Sequence, residues 1–146
     1  MAGKFNSAVV SWAIQTNDRM EGVYKEVALE GMKIVKRRSP VKTGRFRANW
    51  RMGINSPDLT ADEDTFTRSK FGDEPNENEL RESRSVLRKL KLKDKVFISN
   101  ALKYAAKIEG GSSDMAPAGV VTLSHAELQA AYPGIVGRFL TGRRRA

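Results

Sequence analysis

Apolar residues recur every three or four positions over residues 4–38, which is the spacing of an amphipathic helix. The residues that follow this spacing are Phe5, Val9, Trp12, Met20, Val23, Tyr24, Val27, Ile34 and Val35. The pattern predicts one long N-terminal helix. Asn17-Asp18, Gly22 and Gly31 lower helix propensity, so a kink or break is expected there. Four cations near the end either complement the helix dipole or contact an acidic partner or DNA; they are Lys33, Lys36, Arg37 and Arg38.

Residues 39–50, SPVKTGRFRANW, form a corner after this helix. Pro40 biases Ser39 away from the helical conformation, and Thr43-Gly44 is a turn signal. The chain then alternates, with Phe46, Ala48, Trp50, Met52 and Ile54 on one face and Arg45, Arg47, Asn49 and Arg51 on the other. Period two predicts a strand over residues 44–55 that buries its aromatic residues and has a cationic outer face.

The rest of the chain shows weaker patterns. Residues 56–78 lack periodicity and predict a long loop, with a hairpin near Phe66 as one option inside it. Further predictions are a helix over 79–91, a strand over 96–98, a helical turn over 102–108, a third strand over 120–123 and a closing helix toward residue 140. Ser124 and Glu127 have the spacing of a capping box at the start of that last helix, and Pro133-Gly134 would interrupt it.

These elements predict an α+β fold, with a long N-terminal helix packed on a small, mostly antiparallel β-sheet and a C-terminal helix. The length of 146 residues favours a single domain over 1–146, in which residues 57–94 form an insert of long loop plus helix. So small a sheet has exposed edges, which a neighbouring subunit would cover. Because no apolar segment precedes or spans the chain, we expect a protein that works without export and without a membrane.

Charge is divided unevenly along the chain. Residues 58–82, called the acidic segment below, hold nine acidic and three basic residues, a net charge of −6. The remainder holds 23 basic and eight acidic residues, a net charge of +15. Such a division favours a protein surface or nucleic acid as the partner over a catalytic cleft.

Residues typical of catalysis are scarce. The chain has no cysteine and one histidine, His125, which is expected to be exposed near a helix start. Asp58, Asp62, Glu63 and Asp64 supply oxygen ligands, but their spacing is not that of a calcium loop, so a solvated acidic loop is favoured. We expect no enzyme activity, no metal and no cofactor.

Two motifs resemble those of a family of siphophage head–tail joining proteins, the tail-completion or tail-component proteins similar to the minor tail protein Z of lambda. The first motif is the corner SPVKTGRFRANW. The second is ISNALKYAAKIEGGSS, in which Tyr104-Ala105, Ile108-Glu109 and Gly110-Gly111 carry the similarity. The resemblance covers roughly residues 1–56 and 95–142, and the insert has no counterpart.

This resemblance implies a virion protein of the phage neck or tail, assembled in the host cytoplasm, which joins the tail tube to the head and surrounds the DNA channel. Its implied partners are further copies of itself in a ring, six by tail symmetry, the tail-terminator and head-completion proteins, and duplex DNA that passes through without sequence specificity. We place the subunit interface on the first helix and on residues 42–51. The candidate assembly residues are Pro40, Thr43, Gly44, Arg45, Arg47, Arg51, Tyr104 and Glu109.

The acidic segment is expected to face the lumen or a neighbouring ring, through Asp58, Asp62, Glu63, Asp64, Asp73 and Glu74. Glu109 ends a helical turn, where a carboxylate needs a partner, and we expect that partner to be a base near the corner such as Arg45. Two alternatives stay open. One is another neck ring, and the other is a small nucleic-acid-binding protein that uses Arg45, Arg47, Arg51, Arg143, Arg144 and Arg145 on phosphates.

Overall fold

The computed structural model describes residues 2–141, and it begins with the predicted long helix, α1 (Ala2–Arg38). The helix ends where the sequence predicts and continues through Gly22 and Gly31, so the expected break is absent. These glycines instead allow close packing. A Cβ atom at Gly22 would lie 2.8 Å from the ring of Phe139, which leaves no room for a side chain.

The corner leads first into a helical turn. α2 (Arg45–Ala48) precedes β1 (Arg51–Ile54), so the predicted strand over residues 44–55 is wrong in its first half. Residues 46 and 50 are four apart, and both a helical turn and a strand place them on the same side. The rings of Phe46 and Trp50 meet edge to face with centroids 5.5 Å apart, and both are buried as predicted.

β1 pairs antiparallel with β2 (Val96–Ser99), which lies where the sequence predicts a strand. The register places Arg51 opposite Ser99 and Met52 opposite Ile98. Within the described residues the sheet has these two strands, because residues 120–123, predicted as a third strand, lead into a helix. The molecule is therefore α+β, with a long N-terminal helix, a small antiparallel sheet and a C-terminal helix, as the sequence predicts.

Three more helices follow β1. α3 (Glu77–Leu87) begins at a capping box formed by Asn76 and Glu79. α4 (Ala105–Glu109) matches the predicted helical turn, and α5 (Val121–Leu140) is the closing helix. α5 passes through Pro133, so the predicted interruption there is absent.

α5 lies antiparallel along the C-terminal part of α1. Near its start, the Glu127 carboxylate accepts hydrogen bonds of 2.7 Å from both Arg37 and Arg38, while near its end Phe139 packs on Gly22. Ser124 is buried inside the first turn of α5. The predicted capping box of Ser124 and Glu127 is therefore wrong, because Glu127 is engaged by α1.

The core lies between the C-terminal part of α1, the corner, the sheet and α3. Its buried apolar residues are Ala28, Leu29, Met32, Val35, Phe46, Trp50, Met52, Leu80, Leu87, Leu90, Leu102, Ile108, Ala116 and Val120. Residues 55–76, all of them described, contain no helix or strand, so the long loop is confirmed and the hairpin near Phe66 is not formed. This loop is packed on the corner by specific contacts.

Candidate functional site: the corner, the acidic segment and the exposed arm

The corner holds a buried ion pair with the acidic segment. Arg47 Nε lies 2.8 Å from Glu79 Oε1 and Arg47 Nη2 lies 3.1 Å from Oε2, and the Arg47 side chain is 0% exposed. Arg47 Nη1 also donates to the carbonyl oxygen of Lys70 at 3.1 Å. This bidentate geometry is the one that a guanidinium favours with a carboxylate. The pair fixes the start of α3 against α2.

Glu79 receives further hydrogen bonds at the same place. Ser69 Oγ and the backbone N–H of Asn76 both donate to Oε2 at 3.0 Å. Burial by itself would raise the pKa of Glu79, but the hydrogen bonds from Arg47, Asn76 and Ser69 outweigh it and hold the pKa below its usual range. Glu79 is therefore ionised and fully engaged at neutral pH.

Lys36, on the last turn of α1, is a second buried charge beside this pair. It is 3% exposed, and its Nζ donates to the carbonyl oxygen of Arg47 at 3.1 Å. Burial lowers the pKa of Lys36 to about 8; the positive charges of Arg47 and Arg51 act in the same direction, and Glu79 opposes them. Lys36 is therefore a cation at pH 7, but it loses its proton at a lower pH than an ordinary lysine.

Hydrogen bonds join the corner to the loop part of the acidic segment, residues 58–76, called the acidic loop below. Asn49 and Asp62 are joined by two hydrogen bonds, since Asn49 Nδ2 donates to the Asp62 carbonyl at 2.9 Å and Asn49 Oδ1 accepts from the Asp62 N–H at 2.8 Å. The Gly44 carbonyl accepts from the Thr67 N–H at 3.2 Å. Gly44 has φ +81°, and a Cβ atom there would lie 2.1 Å from the Thr67 carbonyl oxygen, so a glycine is required.

The predicted cationic outer face of the corner is wrong. Arg47 points inward, because the helical turn of α2 directs it toward Glu79. Arg51 lies on β1, and its Nη1 pairs with Glu82 Oε2 at 2.7 Å. Arg45 is half-buried. The three arginines therefore do not form one surface, and two of them bind the chain's own acidic segment.

The other predicted assembly residues of the corner differ in their exposure to solvent. Pro40 is buried and Gly44 is packed under the acidic loop, while Thr43 is exposed and its Oγ1 accepts from the Arg45 N–H at 3.3 Å. A partner can reach Thr43 and the neighbouring Lys42.

Glu109 has a different partner from the one predicted. Its carboxylate accepts hydrogen bonds from the backbone N–H groups of Val120 and Val121, both at 2.8 Å, and of Thr122 at 3.3 Å. Burial acts to raise its pKa, but these donors hold the pKa below its usual range. The predicted pair with Arg45 is wrong, because Glu109 caps α5.

The two motifs nevertheless meet in space. The ring of Tyr104 lies tilted against Phe46 with centroids 6.4 Å apart, and Asn100 Nδ2 donates to the Phe46 carbonyl at 2.8 Å. Tyr104 is half-buried, and this burial raises its pKa, while Ile108 is in the core. The two motifs are therefore joined by the Phe46–Tyr104 ring contact and by the Asn100 hydrogen bond, and not by the expected salt bridge between Glu109 and Arg45.

Most carboxylates of the acidic loop face solvent. Asp62, Glu63, Asp64, Asp73 and Glu74 are exposed and Asp58 is half-buried. Several order the loop itself: Asp58 accepts from the Thr60 N–H at 2.9 Å, and Asp73 accepts from the Lys70 N–H at 2.9 Å. Across the described residues no group of His, Asp and Glu side chains could hold a metal ion, and His125 is exposed.

Residues 7–20 of α1, called the arm, form a surface that the sequence pattern did not distinguish. Every one of these residues except Thr16 is exposed. The apolar side chains that face solvent are Val9, Val10, Trp12, Ile14 and Met20, and Trp12 is 67% exposed. Val10 and Ile14 lie 18 residues, or about five helical turns, before the buried Ala28 and Met32, so the core-facing stripe of α1 continues into the arm and no sequence pattern signals that the arm is exposed.

Comparison with protein-family models, with curated proteins and with solved structures found no match for this chain. In the described part of the chain, no helix has both the length and the hydropathy needed to cross a membrane.

Proposed function

We propose that this protein is a structural component of a phage neck or tail, a tail-completion protein that joins the tail tube to the head as a ring around the DNA channel. The observation that carries the proposal is the arm, about 21 Å of helix on which the apolar side chains Val9, Val10, Trp12, Ile14 and Met20 are exposed to solvent. The order of the two motifs along the chain supports the same class of protein.

The arm favours assembly with other copies of the chain. Large contiguous apolar surfaces on soluble proteins mark interaction sites, since leaving them in water costs about 25 cal/mol per Å². The acidic loop presents a second group of exposed apolar side chains, Leu59, Phe66 and Phe71. Two different patches on one chain suit a head-to-tail contact, and a head-to-tail contact closes into a ring when its rotation permits. We assign the arm of one copy to the loop of the next.

The exposed carboxylates suit a channel wall or a contact with another ring. Asp62, Glu63 and Asp64 lie together on the acidic loop and face solvent. A negative surface repels DNA phosphates, so DNA can pass without binding. Deletion of residues 60–75 should then impair infectivity; intact infectivity would remove the loop from the function.

The assembly state of the purified chain tests the proposal directly. Light scattering after size-exclusion chromatography and negative-stain microscopy should find rings, with six copies expected. The double variant Val9→Ser/Trp12→Ser should be monomeric with an unchanged melting temperature, whereas Gln15→Ser, at an exposed polar position of the same arm, should assemble normally. A wild-type chain that stays monomeric at every concentration would contradict ring formation in isolation.

Phage carrying a stop codon at Trp12 tests the joining role. Electron microscopy of lysates should find full heads and finished tails lying apart. Normally joined particles would contradict the proposal, and empty heads would indicate a role in packaging. Heads that lose their DNA, or tails of uncontrolled length, would favour the head-completion or tail-terminator ring instead.

Nucleic-acid binding is the second candidate, and an exposed basic run favours it. Between the end of α3 and β2 the side chains of Arg88, Lys89, Lys91, Lys93 and Lys95 are all exposed. The arginines first considered contribute less, because Arg47 is buried and Arg51 is paired, and Arg143–Arg145 lie outside the described residues. Tight binding to duplex DNA that falls steeply with salt and is lost in Arg88→Gln/Lys89→Gln would support this function.

A further inference from the structure

A cavity of about 420 Å³ lies between the end of α1, β1, α3 and the acidic loop. Its walls include Lys36, Trp50, Arg51, Phe66, Arg68 and Glu82. It therefore combines two buried or half-buried cations with an aromatic wall. The ring contact proposed above shares Phe66 with this cavity, but it does not use Lys36, Arg51 or Arg68.

The guanidinium of Arg51 is incompletely used in this cavity. Its Nη1 pairs with Glu82, but its Nε is buried and has no hydrogen-bond partner among the described residues. Buried N–H groups almost always have a partner, in the protein or in a bound molecule. The Nε–H of Arg51 therefore marks a place for an acceptor.

Positive charge is in excess around the same space. The Glu79 carboxylate accepts hydrogen bonds from Arg47, Ser69 and Asn76. Glu82 forms an ion pair with Arg51. Lys36 uses one of its three N–H donors on the Arg47 carbonyl, and Arg68 is exposed where it lines the cavity. Glu79 and Glu82 both line the cavity, but their ion pairs are with Arg47 and Arg51 and not with Lys36 or Arg68.

We infer that this cavity binds a compact oxyanion, a carboxylate or a phosphate group, held by the Nε–H of Arg51 and the ammonium of Lys36 with Arg68 at the opening. The rings of Trp50 and Phe66 would pack against an apolar body attached to the anion.

The site predicts a pH dependence of binding. Lys36 is faced by Glu79 and Glu82 from α3, by Arg47 from α2 and by Arg51 from β1, and burial lowers its pKa to about 8. An oxyanion favours the protonated amine, so affinity should fall as pH rises through 8. For acetate, whose own charge is constant in this range, affinity should fall about tenfold from pH 7 to pH 9.

Nuclear magnetic resonance of the full-length protein tests the inference. At pH 6.5, sodium phosphate or sodium acetate should shift the Arg51 Nε–H resonance saturably, and sodium chloride at equal ionic strength should not. Lys36→Met should weaken the binding about tenfold or more, since it removes a charge-assisted hydrogen bond. Arg88→Gln, a cation outside the cavity, should leave the binding unchanged.

Three outcomes would overturn the inference: no shift with either salt, equal shifts with chloride, or unaltered binding in Lys36→Met. Arg68→Gln, an exposed change that preserves the fold, should weaken binding by a smaller factor and so checks the result if Lys36→Met unfolds. The chemical shift of the Trp50 indole N–H measures the affinity for acetate at pH 7 and at pH 9. Binding of phosphate but not acetate would assign the site to a phosphate group, and the reverse result to a carboxylate.

Discussion

The two halves of α1 have similar apolar spacing and opposite surroundings. In residues 21–38, Ala28, Leu29, Met32 and Val35 are buried in the core, and α5 and α3 pack along the helix. In residues 7–20, side chains of the same kind face solvent. The helix continues without a break between the halves. One half packs in the core, and the apolar side chains of the other are exposed to solvent.

This difference shows that an apolar stripe predicts burial without saying which molecule provides the covering surface. A helix that is already nucleated can extend at little cost, because each added residue gains one hydrogen bond. The packed half therefore supports an arm that no described element of the same chain covers.

The largest loss of stability is expected from the buried Arg47–Glu79 ion pair, which lies beside the C-terminal end of α1. Arg47→Ala leaves the Glu79 carboxylate buried without its cation, so the free energy of unfolding should fall by about 3–5 kcal/mol. Urea denaturation measures this change. The double variant Arg47→Met/Glu79→Leu should recover most of the loss, because it removes both charges. A loss under 1 kcal/mol in Arg47→Ala would mean that the pair does not hold the acidic segment in place.

Two methionines of α1 give the comparison a matched test. Met32 is 0% exposed and Met20 is 56% exposed. Met32→Ala should cost about 2–5 kcal/mol, because it opens a cavity in the core, whereas Met20→Ala should change the stability of the monomer by less than about 0.5 kcal/mol. Chemical denaturation at low protein concentration separates the two. Similar losses would mean that the arm is packed in solution.

The buried Lys36 should make the packed half more stable at alkaline pH. Its folded-state pKa of about 8 lies below the ordinary value of 10.5, so the unfolded chain binds more protons between these values. Stability therefore rises as pH increases above 8, by on the order of 1 kcal/mol between pH 7 and pH 9. Denaturation of the wild type and of Lys36→Met at both pH values measures the difference. The variant should lack the rise, and a wild type without it would contradict a depressed pKa.

The smallest effect concerns the helix that covers the packed half. Glu109→Gln keeps an acceptor at the start of α5 but removes its charge, so stability should fall by about 0.5–1 kcal/mol. Thermal unfolding followed by circular dichroism measures this loss. Arg45→Gln should not reproduce it, since Arg45 does not bind Glu109. Equal losses in both variants would restore the salt bridge that the sequence suggested.

Several misassignments from sequence have one cause, a local pattern that fits two structures. Residues 44–50 satisfy both period two and a helical turn, and the turn forms because Gly44 adopts a positive φ and Asn49 Nδ2 donates to the Arg45 carbonyl at 2.8 Å. The apolar residues 120–123 suit a strand, but Glu109 binds three successive N–H groups there and starts a helix. In each case the deciding contact is tertiary or involves one polar side chain.

The candidate sites show the same limit. The −6 charge of the acidic segment and the cations of the corner were visible in the sequence, but no sequence pattern indicated that they meet within one chain. In the structure Arg47–Glu79 and Arg51–Glu82 join them within the chain. The cavity beside Lys36 forms where the acidic segment packs on the corner, and no sequence pattern predicted it.

The sequence by itself determined the long first helix, the central strand pair, the acidic loop and the burial of Phe46 and Trp50, because periodicity and turn residues act over a few neighbouring positions. Tertiary structure alone decided that Arg47 is buried, that Glu109 caps α5 and that half of α1 stays uncovered. The contacts that decide the first two outcomes join residues that are distant in sequence, 32 positions apart in the Arg47–Glu79 pair and 11 in the Glu109–Val120 hydrogen bond. Their free energy comes from removing charges and rings from water together, which no local pattern encodes.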